Sequence, residues 1–253
     1  MSTLQFMQAK RNGRKISMLT AYDYCTAKIV DEAGIDAILV GDSLGMVVQG
    51  KGNTIPVTLE EMIYHTEIVR RAAQNAMVIA DLPFPGGHQM WEETLRDCSR
   101  IMKETRCHGI KIETSAAQQE TLARLTDAGI PILAHIGLLP QRILQLGKYT
   151  MQRQREILLR DATAAQDAGA FGVLMECVDF EIAREISQTL QIPTIGIGSG
   201  PHCDGQVLVL HDILGLSGRT PKHAFQYADV GGSIRAAVAS YKKDVEAGGF
   251  PPQ

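Results

Sequence analysis

One short pattern recurs along the chain and limits what it can fold into. A stretch of helical character ends at a glycine or a similar break, a short apolar run follows, and the run ends in a polar residue or in glycine. Such alternation predicts parallel strands joined by helices, and almost wholly apolar runs predict strands buried on both faces. Seven units show the pattern: KISMLTAYD, DEAGIDAILVGD, AQNAMVIADLP, TRCHGIKIE, DAGIPILAH, DAGAFGVLME and QIPTIGIGSG.

An eighth unit completes the pattern. GQVLVLHDIL (205–214) predicts an eighth strand, although this stretch is also compatible with a helix. Eight units favour a closed barrel over an open sheet, and the length of 253 residues is ordinary for one barrel. We therefore predict an α/β protein with a (β/α)8 TIM barrel. Residues 1–253 are expected to form one barrel domain with a short N-terminal helical extension.

The segments between the apolar runs carry helix signals. In residues 58–74, Thr58 precedes an amphipathic stretch and Glu61 follows three residues later, which is the signature of a capping box. Glycines at 34, 129 and 169 suit left-handed residues at helix C-termini. Further helices are predicted over 89–105, 115–128, 152–168 and 178–190, and the tail GSIRAAVASYKKDVEAGG predicts a last one.

Composition and charge exclude several classes of partner. The net charge is −3 with no basic stripe, which argues against binding to nucleic acid. No apolar run approaches the roughly 20 residues that a membrane span needs. The first residues, MSTLQFMQAKRNGRK, have no apolar signal core, so we expect a cytoplasmic protein that does not bind membranes. The five cysteines are scattered and form no CxxC, which favours reduced thiols over disulfides or a zinc site.

Polar residues follow the apolar runs at the points where the strands end. Active sites of (β/α)8 barrels lie at the carboxyl ends of the strands, so these side chains are expected to ring one mouth of the barrel. Lys111 precedes Glu113 by two residues, and strand alternation points both side chains to the same side. The residues at this mouth are Asp23, Asp42, Asp81, Lys111, Glu113, His135 and Glu176.

Crowded carboxylates at one mouth need a cation or protons to coexist. A divalent metal bound through oxygen atoms is the simplest solution, and a few carboxylates with water and a chelating substrate are typical of magnesium. Asp42 and Asp81 directly follow predicted strands, so rigid elements hold both carboxylates. No histidine-rich cluster suggests zinc.

Each of these residues also has a structural interpretation. Asp23 and Asp42 could each cap the next helix, Lys111 and Glu113 could form a structural ion pair, and His135 could be a core histidine with satisfied hydrogen bonds. The recurrence of such residues at one mouth favours a functional site, because capping would have to explain several positions at once.

Two further features are less easily assigned to structure alone. Glu176 lies inside the apolar run LMECV, where a charge is rarely buried without a partner. Residues 193–200, PTIGIGSG, could hold an anion through backbone N–H groups, or could simply form a tight turn that needs small residues. Both interpretations of the glycine-rich segment stay open at this point.

Motifs along most of the chain, from about residue 5 to about 250, resemble the ketopantoate hydroxymethyltransferase family in order and spacing. The most specific combination is VGDSLGM followed by ADLPF and by GIGxG with DGQ downstream. The matching segments are TAYDY, VGDSLGMVVQG, TIPVTLEEMIYHT, ADLPF, KIE, HIGLLPQ, LMECV, IPTIGIGSG and DGQVLVLHDILGL.

The resemblance implies a barrel of the phosphoenolpyruvate/pyruvate type in a homo-oligomer, decameric in the best-known members. It implies transfer of a hydroxymethyl group from the folate co-substrate 5,10-methylenetetrahydrofolate to α-ketoisovalerate through a magnesium-stabilised enolate, as a step of pantothenate and coenzyme A biosynthesis. Two alternatives remain: an aldol-type lyase or transferase that acts on another 2-keto acid with the same metal, and a non-catalytic barrel with a binding or assembly role.

The resemblance also implies roles for the residues of the metal site. Asp42 and Asp81 would bind Mg²⁺, and Glu113 would support the water shell of the metal. The keto acid would chelate the metal through its carboxylate and carbonyl oxygens, so Asp42 and Asp81 also belong to the substrate-binding set.

For the organic substrate, the resemblance implies that Ser43 and Lys111 hold its carboxylate. His135 would bond the substrate, and Glu176 would act as the base. Three segments depart from the usual sequence of the family on the catalytic side of the barrel, namely 85–89, 114–115 and 145–161. These departures concern recognition of the substrate or of folate rather than the enolate chemistry.

Overall fold

A computed structural model describes residues 1–218, 221–222 and 224–251 of the chain. Eight parallel strands form a closed barrel and follow one another in chain order. The predicted (β/α)8 barrel is therefore confirmed. The strands are β1 (Ile16–Thr20), β2 (Ala37–Val40), β3 (Met77–Asp81), β4 (Gly109–Glu113), β5 (Ile132–Gly137), β6 (Gly172–Glu176), β7 (Thr194–Ile197) and β8 (Gly205–Leu208).

One helix precedes the first strand, and the others lie between the strands and after the last one, close to the predicted spans. Three short 3₁₀ turns, Gly86–His88, Ala116–Gln118 and Pro140–Arg142, lie in loops at the carboxyl ends of strands. The α-helices are α1 (Thr3–Arg11), α2 (Tyr24–Glu32), α3 (Leu44–Val47), α4 (Leu59–Ala72), α5 (Trp91–Thr105), α6 (Gln119–Asp127), α7 (Ile143–Leu146), α8 (Arg155–Asp167), α9 (Phe180–Thr189), α10 (Leu210–Ile213) and α11 (Val230–Glu246).

Helix termini form as the sequence predicts. The Thr58 side chain accepts a hydrogen bond from the Glu61 N–H, and the Glu61 carboxylate accepts one from the Thr58 N–H, so the capping box of α4 is confirmed. Gly34, Gly129 and Gly169 follow the ends of α2, α6 and α8 with φ values of 83°, 86° and 85°. Other side chains would be strained in this left-handed conformation.

The eighth strand occupies only part of the predicted stretch 205–214. β8 covers its first four residues and pairs with β7, and α10 then begins at Leu210. On the other side of β8, Ile16 N–H donates to Asp204 O at 2.9 Å. A Cβ on Gly205 would lie 2.5 Å from Ile16 O, so only glycine permits this close approach of β8 to β1.

The chain divides into two compact units, Met1–Val207 and Leu208–Gln253. The first contains α1 to α9 and nearly all of the barrel, and the second contains α10 and α11. The assignment of the chain to one domain stays a prediction. Among the described residues, no helix combines the length and the apolar character that crossing a membrane requires.

The barrel interior is filled by apolar side chains at its amino-terminal end. Phe6 of α1 is fully buried in this cluster and meets Phe171 edge to face, with ring centroids 5.4 Å apart. α1 therefore covers this end of the barrel with an apolar side chain, and the polar residues lie toward the opposite end. The strand residues of the cluster are Ile16, Met18, Ala37, Leu39, Met77, Ile79, Leu133, Leu174, Ile195 and Val207.

Candidate active site

The side-chain alternation of the strands places polar residues above the apolar interior. Asp81 lies two residues after Ile79, and His135 lies two residues after Leu133, so each points to the same side as an interior residue. Glu176 stands in the same relation to Leu174 on β6. These strands therefore change from an apolar layer to a polar layer at the carboxyl end of the barrel, as predicted.

β4 contributes two charged side chains to this layer. Lys111 and Glu113 are both almost fully buried, with 4% and 3% of their surface exposed. Lys111 Nζ lies 2.7 Å from Asp81 Oδ1 of the neighbouring strand, and Lys111 and Asp81 are register partners. The cation thus pairs across the sheet with Asp81, rather than along its own strand with Glu113.

Asp42 joins the cluster from the loop after β2. Its backbone N–H donates to Asp81 Oδ2 at 3.0 Å, and its own Oδ2 accepts a hydrogen bond from Gln141 Nε2 at 2.9 Å. The next helix begins after Ser43, so the Asp42 carboxylate serves the cluster and not the cap of α3. Asp23, by contrast, accepts from the Thr26 N–H as the N-cap of α2 and is exposed, which confirms its capping interpretation.

The buried carboxylates resist ionisation. Burial is the largest cause and raises the pKa of Asp42, of Asp81 (to about 7) and of Glu113, which lies well above its usual range. Burial alone would lower the pKa of Lys111, but Asp81, Asp42 and Glu113 outweigh it and raise that pKa. Lys111 is therefore a permanent cation among carboxylates that need positive charge to stay ionised.

His135 is a neutral imidazole in this layer. Burial, followed by the nearby Lys111 ammonium, holds its pKa well below the usual range. Lys111 Nζ lies 3.2 Å from His135 Nδ1, and an ammonium can only donate, so we assign the ring proton to Nε2. Nε2 lies 3.4 Å from Glu176 Oε2, whose side chain is 16% exposed. His135 and Glu176 thus face each other at the mouth.

Ser43 is held by a residue that the sequence did not single out. Its Oγ lies 2.8 Å from the hydroxyl of Tyr22, which is buried. Tyr22 is fixed in turn because His65 Nδ1 donates to its carbonyl oxygen at 2.7 Å. The Ser43 hydroxyl is therefore oriented beside the carboxylates before any ligand binds.

The donor set of this cluster fits a magnesium ion. Three buried carboxylates face one lysine ammonium, so a further cation would relieve their repulsion, and oxygen atoms are the ligands that Mg²⁺ prefers. The space at the site depends on Gly41, where a Cβ would lie 2.8 Å from Ser43 Oγ and 3.4 Å from Asp81 Oδ2. Both observations favour a small cation near Asp42 and Asp81.

The protein does not supply a complete cage for a metal within the described ranges. Across residues 1–218, 221–222 and 224–251, no three His, Cys, Asp or Glu side chains are arranged as a group that could hold a metal ion. Mg²⁺ is commonly held by one or two carboxylates together with waters and substrate oxygens, so its binding does not require such a group.

Two residues near the mouth lie outside the sequence-based assignment. Gln141 lies at the end of the motif HIGLLPQ and hydrogen-bonds to Asp42. Tyr149 lies in the segment after β5, and burial together with the charges of Glu176, Asp42 and Glu113 raises the pKa of its phenol. For Gln141 the motif itself was a usable signal, whereas nothing in the local pattern marks Tyr149.

The glycine-rich segment after β7 has a packing role. Ser199 Oγ donates to Met175 O at 2.7 Å and accepts from the Val178 N–H at 3.0 Å, which ties the segment to the end of β6. A Cβ on Gly200 would lie 2.7 Å from the Phe180 ring. These contacts favour the interpretation as a tight turn that needs small residues.

The three segments that depart from the family sequence are ordered parts of this mouth. Gly87 in 85–89 approaches β4 so closely that a Cβ would lie 2.7 Å from Glu113 O. Ser115 caps the 3₁₀ turn that follows it. In 145–161, Gln152 N–H donates to Cys177 O at 2.6 Å, next to Glu176. The altered residues therefore support the loops that surround the polar layer.

Comparison with known sequences assigns a family. A sequence model of the family described as ketopantoate hydroxymethyltransferase matches residues 1–253. A relative from Rhodopirellula baltica, named 3-methyl-2-oxobutanoate hydroxymethyltransferase, is 54% identical over 250 residues, which are 98% of this chain and 92% of the relative. A relative of the same name from Pyrobaculum islandicum is 51% identical over 237 residues, 92% of this chain and 90% of the relative.

Comparison with solved structures agrees on the fold. Phosphoenolpyruvate phosphomutase from Streptomyces platensis subsp. rosaceus has a TM-score of 0.68 at 14% identity, with 98% of this chain and 88% of that chain covered. 2,3-Dimethylmalate lyase, a member of the PEP mutase/isocitrate lyase superfamily, has a TM-score of 0.63 at 17% identity, with 99% and 89% covered. Similarity at these identities shows the fold alone, and it agrees with the closed barrel of eight parallel strands.

Proposed function

The chain belongs to the ketopantoate hydroxymethyltransferase family, and we propose that it transfers a hydroxymethyl group from 5,10-methylenetetrahydrofolate to 3-methyl-2-oxobutanoate. The product is 2-dehydropantoate, a precursor of pantothenate and coenzyme A. The methylene carbon comes from the folate, water supplies the hydroxyl oxygen, and tetrahydrofolate is released. The shared name of the relatives supports this reaction.

One observation carries the proposal. The buried polar layer combines carboxylates, a lysine ammonium and a neutral imidazole at the carboxyl end of an otherwise apolar barrel. A barrel that only had to fold would gain nothing from this arrangement, because uncompensated buried charge destabilises the folded state. Removal of a proton next to a ketone, by contrast, needs a base, positive charge near the oxygen and anchors for the carboxylate.

Asp42 and Asp81 are the residues that would hold Mg²⁺, with Glu113 supporting its water shell. When bound, Mg²⁺ would supply positive charge to the carbonyl oxygen of the keto acid as negative charge develops there. Two contacts constrain the carboxylates: Gln141 Nε2 donates to Asp42 Oδ2, and the Asp42 N–H donates to Asp81 Oδ2.

Ser43 and Lys111 would bind the substrate carboxylate. The Ser43 hydroxyl is oriented by Tyr22. The Lys111 ammonium, 2.7 Å from Asp81 Oδ1 and 3.2 Å from His135 Nδ1, has three N–H donors. A fixed hydroxyl can donate a hydrogen bond to a carboxylate, and a buried cation matches its charge.

Glu176 would accept the proton from C3 of the keto acid. The C–H bond breaks, its electron pair forms the C2–C3 π bond, the carbonyl π pair moves onto the ketone oxygen, and the proton moves to a Glu176 carboxylate oxygen. C3 then bonds to the one-carbon unit as the carbonyl re-forms. The two carbon–nitrogen bonds to the folate break with their electron pairs on nitrogen, water supplies the hydroxyl group, and the two nitrogens take up the proton from C3 and one from water. His135 Nε2–H lies beside Glu176 Oε2 and is directed into the same space, where it would hydrogen-bond the substrate.

The proposal is tested by two assays on the purified protein with Mg²⁺. The first is formation of 2-dehydropantoate from both substrates, and the second is exchange of the C3 proton of 3-methyl-2-oxobutanoate in D₂O, followed by NMR. We expect both in the wild type, and we expect Glu176→Gln to slow exchange by about 10²–10⁴-fold. Glu181→Gln, on the exposed face of α9, is the matched control with unchanged rates.

The outcomes separate the parts of the proposal. Absence of both activities in the wild type would contradict the proposed function. Exchange without product would retain the keto acid and the base but contradict the folate donor. The homo-oligomer and the cytoplasmic location stay predictions alongside these roles.

A further inference from the structure

Gln141 is a buried amide among the carboxylates of the mouth. It belongs to the 3₁₀ turn Pro140–Arg142 after β5, and only 5% of its surface is exposed. Its Nε2 donates to Asp42 Oδ2 at 2.9 Å and to Leu82 O at 3.0 Å. One side chain therefore links the loop after β5 to the loops after β2 and β3.

The orientation of this amide is fixed by its partners. A carboxylate oxygen and a backbone carbonyl oxygen both accept hydrogen bonds, so both N–H groups of Gln141 Nε2 are used. A flipped amide would bring its own oxygen against two acceptors. Rotation or a flip of the Gln141 amide would break both of these hydrogen bonds. The amide therefore holds the Asp42 carboxylate in one orientation.

The backbone of the same residue contacts a second carboxylate. The Gln141 N–H lies 3.2 Å from both Oε1 and Oε2 of Glu113. This contact does not depend on the side chain at position 141. A substitution of Gln141 therefore removes the donor to Asp42 while it leaves the donor to Glu113 in place.

We propose that Gln141 is a positioning residue of the metal site, whose amide holds the Asp42 carboxylate in the orientation that binds Mg²⁺. The proposal rests on the proposed function, since it takes Asp42 as a ligand. Without this donor, Asp42 would turn freely beside Asp81 and Glu113, and their repulsion would favour orientations that separate the carboxylates. Outer partners of metal ligands commonly change metal affinity by about 10–100-fold when they are removed.

The test uses Mn²⁺ as the probe in the absence of substrate. Its binding to the wild type and to Gln141→Met is measured by electron paramagnetic resonance titration, because methionine keeps a similar volume but has no donor. We expect Gln141→Met to bind Mn²⁺ about 10–100-fold more weakly. In turnover, saturating Mg²⁺ should restore kcat, since the variant keeps all the proposed ligands.

Ser187→Ala is the matched control. Ser187 is also buried, and its Oγ donates to Ala183 O at 2.8 Å and lies 2.7 Å from Thr194 Oγ1, at the start of β7 and away from the mouth. Its loss should lower the melting temperature without changing the Mn²⁺ affinity. A loss of affinity in Gln141→Met alone therefore separates positioning of Asp42 from general destabilisation.

Each outcome of the Mn²⁺ titration supports or contradicts the positioning role of Gln141. Equal Mn²⁺ affinity of the wild type and Gln141→Met would overturn the role of Gln141 and leave the proposed function intact. A wild type that binds no Mn²⁺ would contradict the metal assignment itself and the proposal on Gln141 with it. If Gln141→Met does not fold, Gln141→Asn replaces it, since its amide is one methylene too short to reach Asp42 and should weaken binding in the same way.

Discussion

Lys111 and Asp81 form an ion pair across the neighbouring strands β3 and β4, with Nζ and Oδ1 2.7 Å apart and side chains only 6% and 2% exposed. The pair lies at the level where the barrel interior changes from apolar to polar. Asp42 and Glu113 add negative charge beside it, so Lys111 is the principal cation that the chain itself brings to this cluster. Both the stability and the chemistry of the mouth therefore depend on this ammonium.

Replacement of Lys111 by methionine should destabilise the protein. Loss of one partner of a buried ion pair leaves uncompensated charge, and we expect the free energy of unfolding to fall by about 3–5 kcal/mol. Urea denaturation at pH 7 measures the change. Lys28→Met is the control, because Lys28 pairs with Glu32 on an exposed helix face and its loss should cost less than about 1 kcal/mol. Equal effects of the two substitutions would contradict the importance of the buried pair.

Replacement of Tyr22 by phenylalanine should weaken binding of the keto acid. The phenol orients Ser43, and removal of one neutral hydrogen bond corresponds to about 0.5–1.5 kcal/mol, or roughly a 2–10-fold rise in KM. Steady-state kinetics should show little change in kcat, because the base is untouched. Tyr64→Phe, on an exposed side chain, should leave KM unchanged. A fall in kcat at constant KM would point to a different role for Tyr22.

Replacement of Gly41 by alanine should impair turnover more than folding. The added Cβ would lie 2.8 Å from Ser43 Oγ and would displace groups of the site, and misplacement of reacting groups by about 1 Å can reduce rates by about 10²-fold. Gly52→Ala is the control, since no atom lies within 4 Å of the added Cβ. Assays of turnover and melting temperature for both variants check the prediction. Full activity of Gly41→Ala would show that the site tolerates the added methyl group.

Replacement of Asp31 by asparagine should lower stability in a pH-dependent way. The Asp31 carboxylate accepts backbone hydrogen bonds from Gln74, Asn75 and Ala76, at 3.1, 3.0 and 2.7 Å. Burial raises its pKa, but these bonds together outweigh burial and lower that pKa below the usual 3.8. We expect a loss of about 1.5–3 kcal/mol at pH 7.

The sign of the pH dependence follows from the lowered pKa of Asp31. The stabilisation is fully present above the unfolded value of 3.8 and is lost as the pH falls through the lower folded value. The stability gap between the wild type and Asp31→Asn should thus be constant from pH 7 to about 5 and shrink below about pH 4. Glu32→Gln, next in sequence and exposed, should show no such gap. A gap that widens at low pH would contradict the assignment.

The order of strands and helices could be predicted because each unit is a local pattern. Ile79 and Asp81, two residues apart on one strand, already indicate where the apolar interior gives way to the polar mouth. The secondary structure of the stretch 205–214 is harder to predict, because short apolar runs fit a strand or a helix equally well. In the structure the stretch contains a strand and a helix, with β8 first and α10 after it.

Partners across the sheet could not be predicted from spacing along the chain. Lys111 and Glu113 are two residues apart, about 6.6 Å along a strand, whereas neighbouring strands lie only about 4.8 Å apart. Lys111 is therefore closer to its register partner Asp81 than spacing in the sequence suggests. The motif HIGLLPQ contains Gln141 but does not reveal its partner, because the contact with Asp42 depends on how two loops meet above the barrel.

Apolar side chains fill the amino-terminal end of the barrel and Phe6 of α1 covers it, so a ligand of the polar layer is expected to enter through the mouth. A small keto acid that has to reach Lys111 and Asp81 must then enter before the much larger folate lies over it. The product, for its part, can leave only after the folate has gone. Initial-rate kinetics of the proposed reaction should accordingly show ordered addition with the keto acid first. Helix α1 at one end of the barrel would thus determine the order in which substrates bind and products leave at the other end.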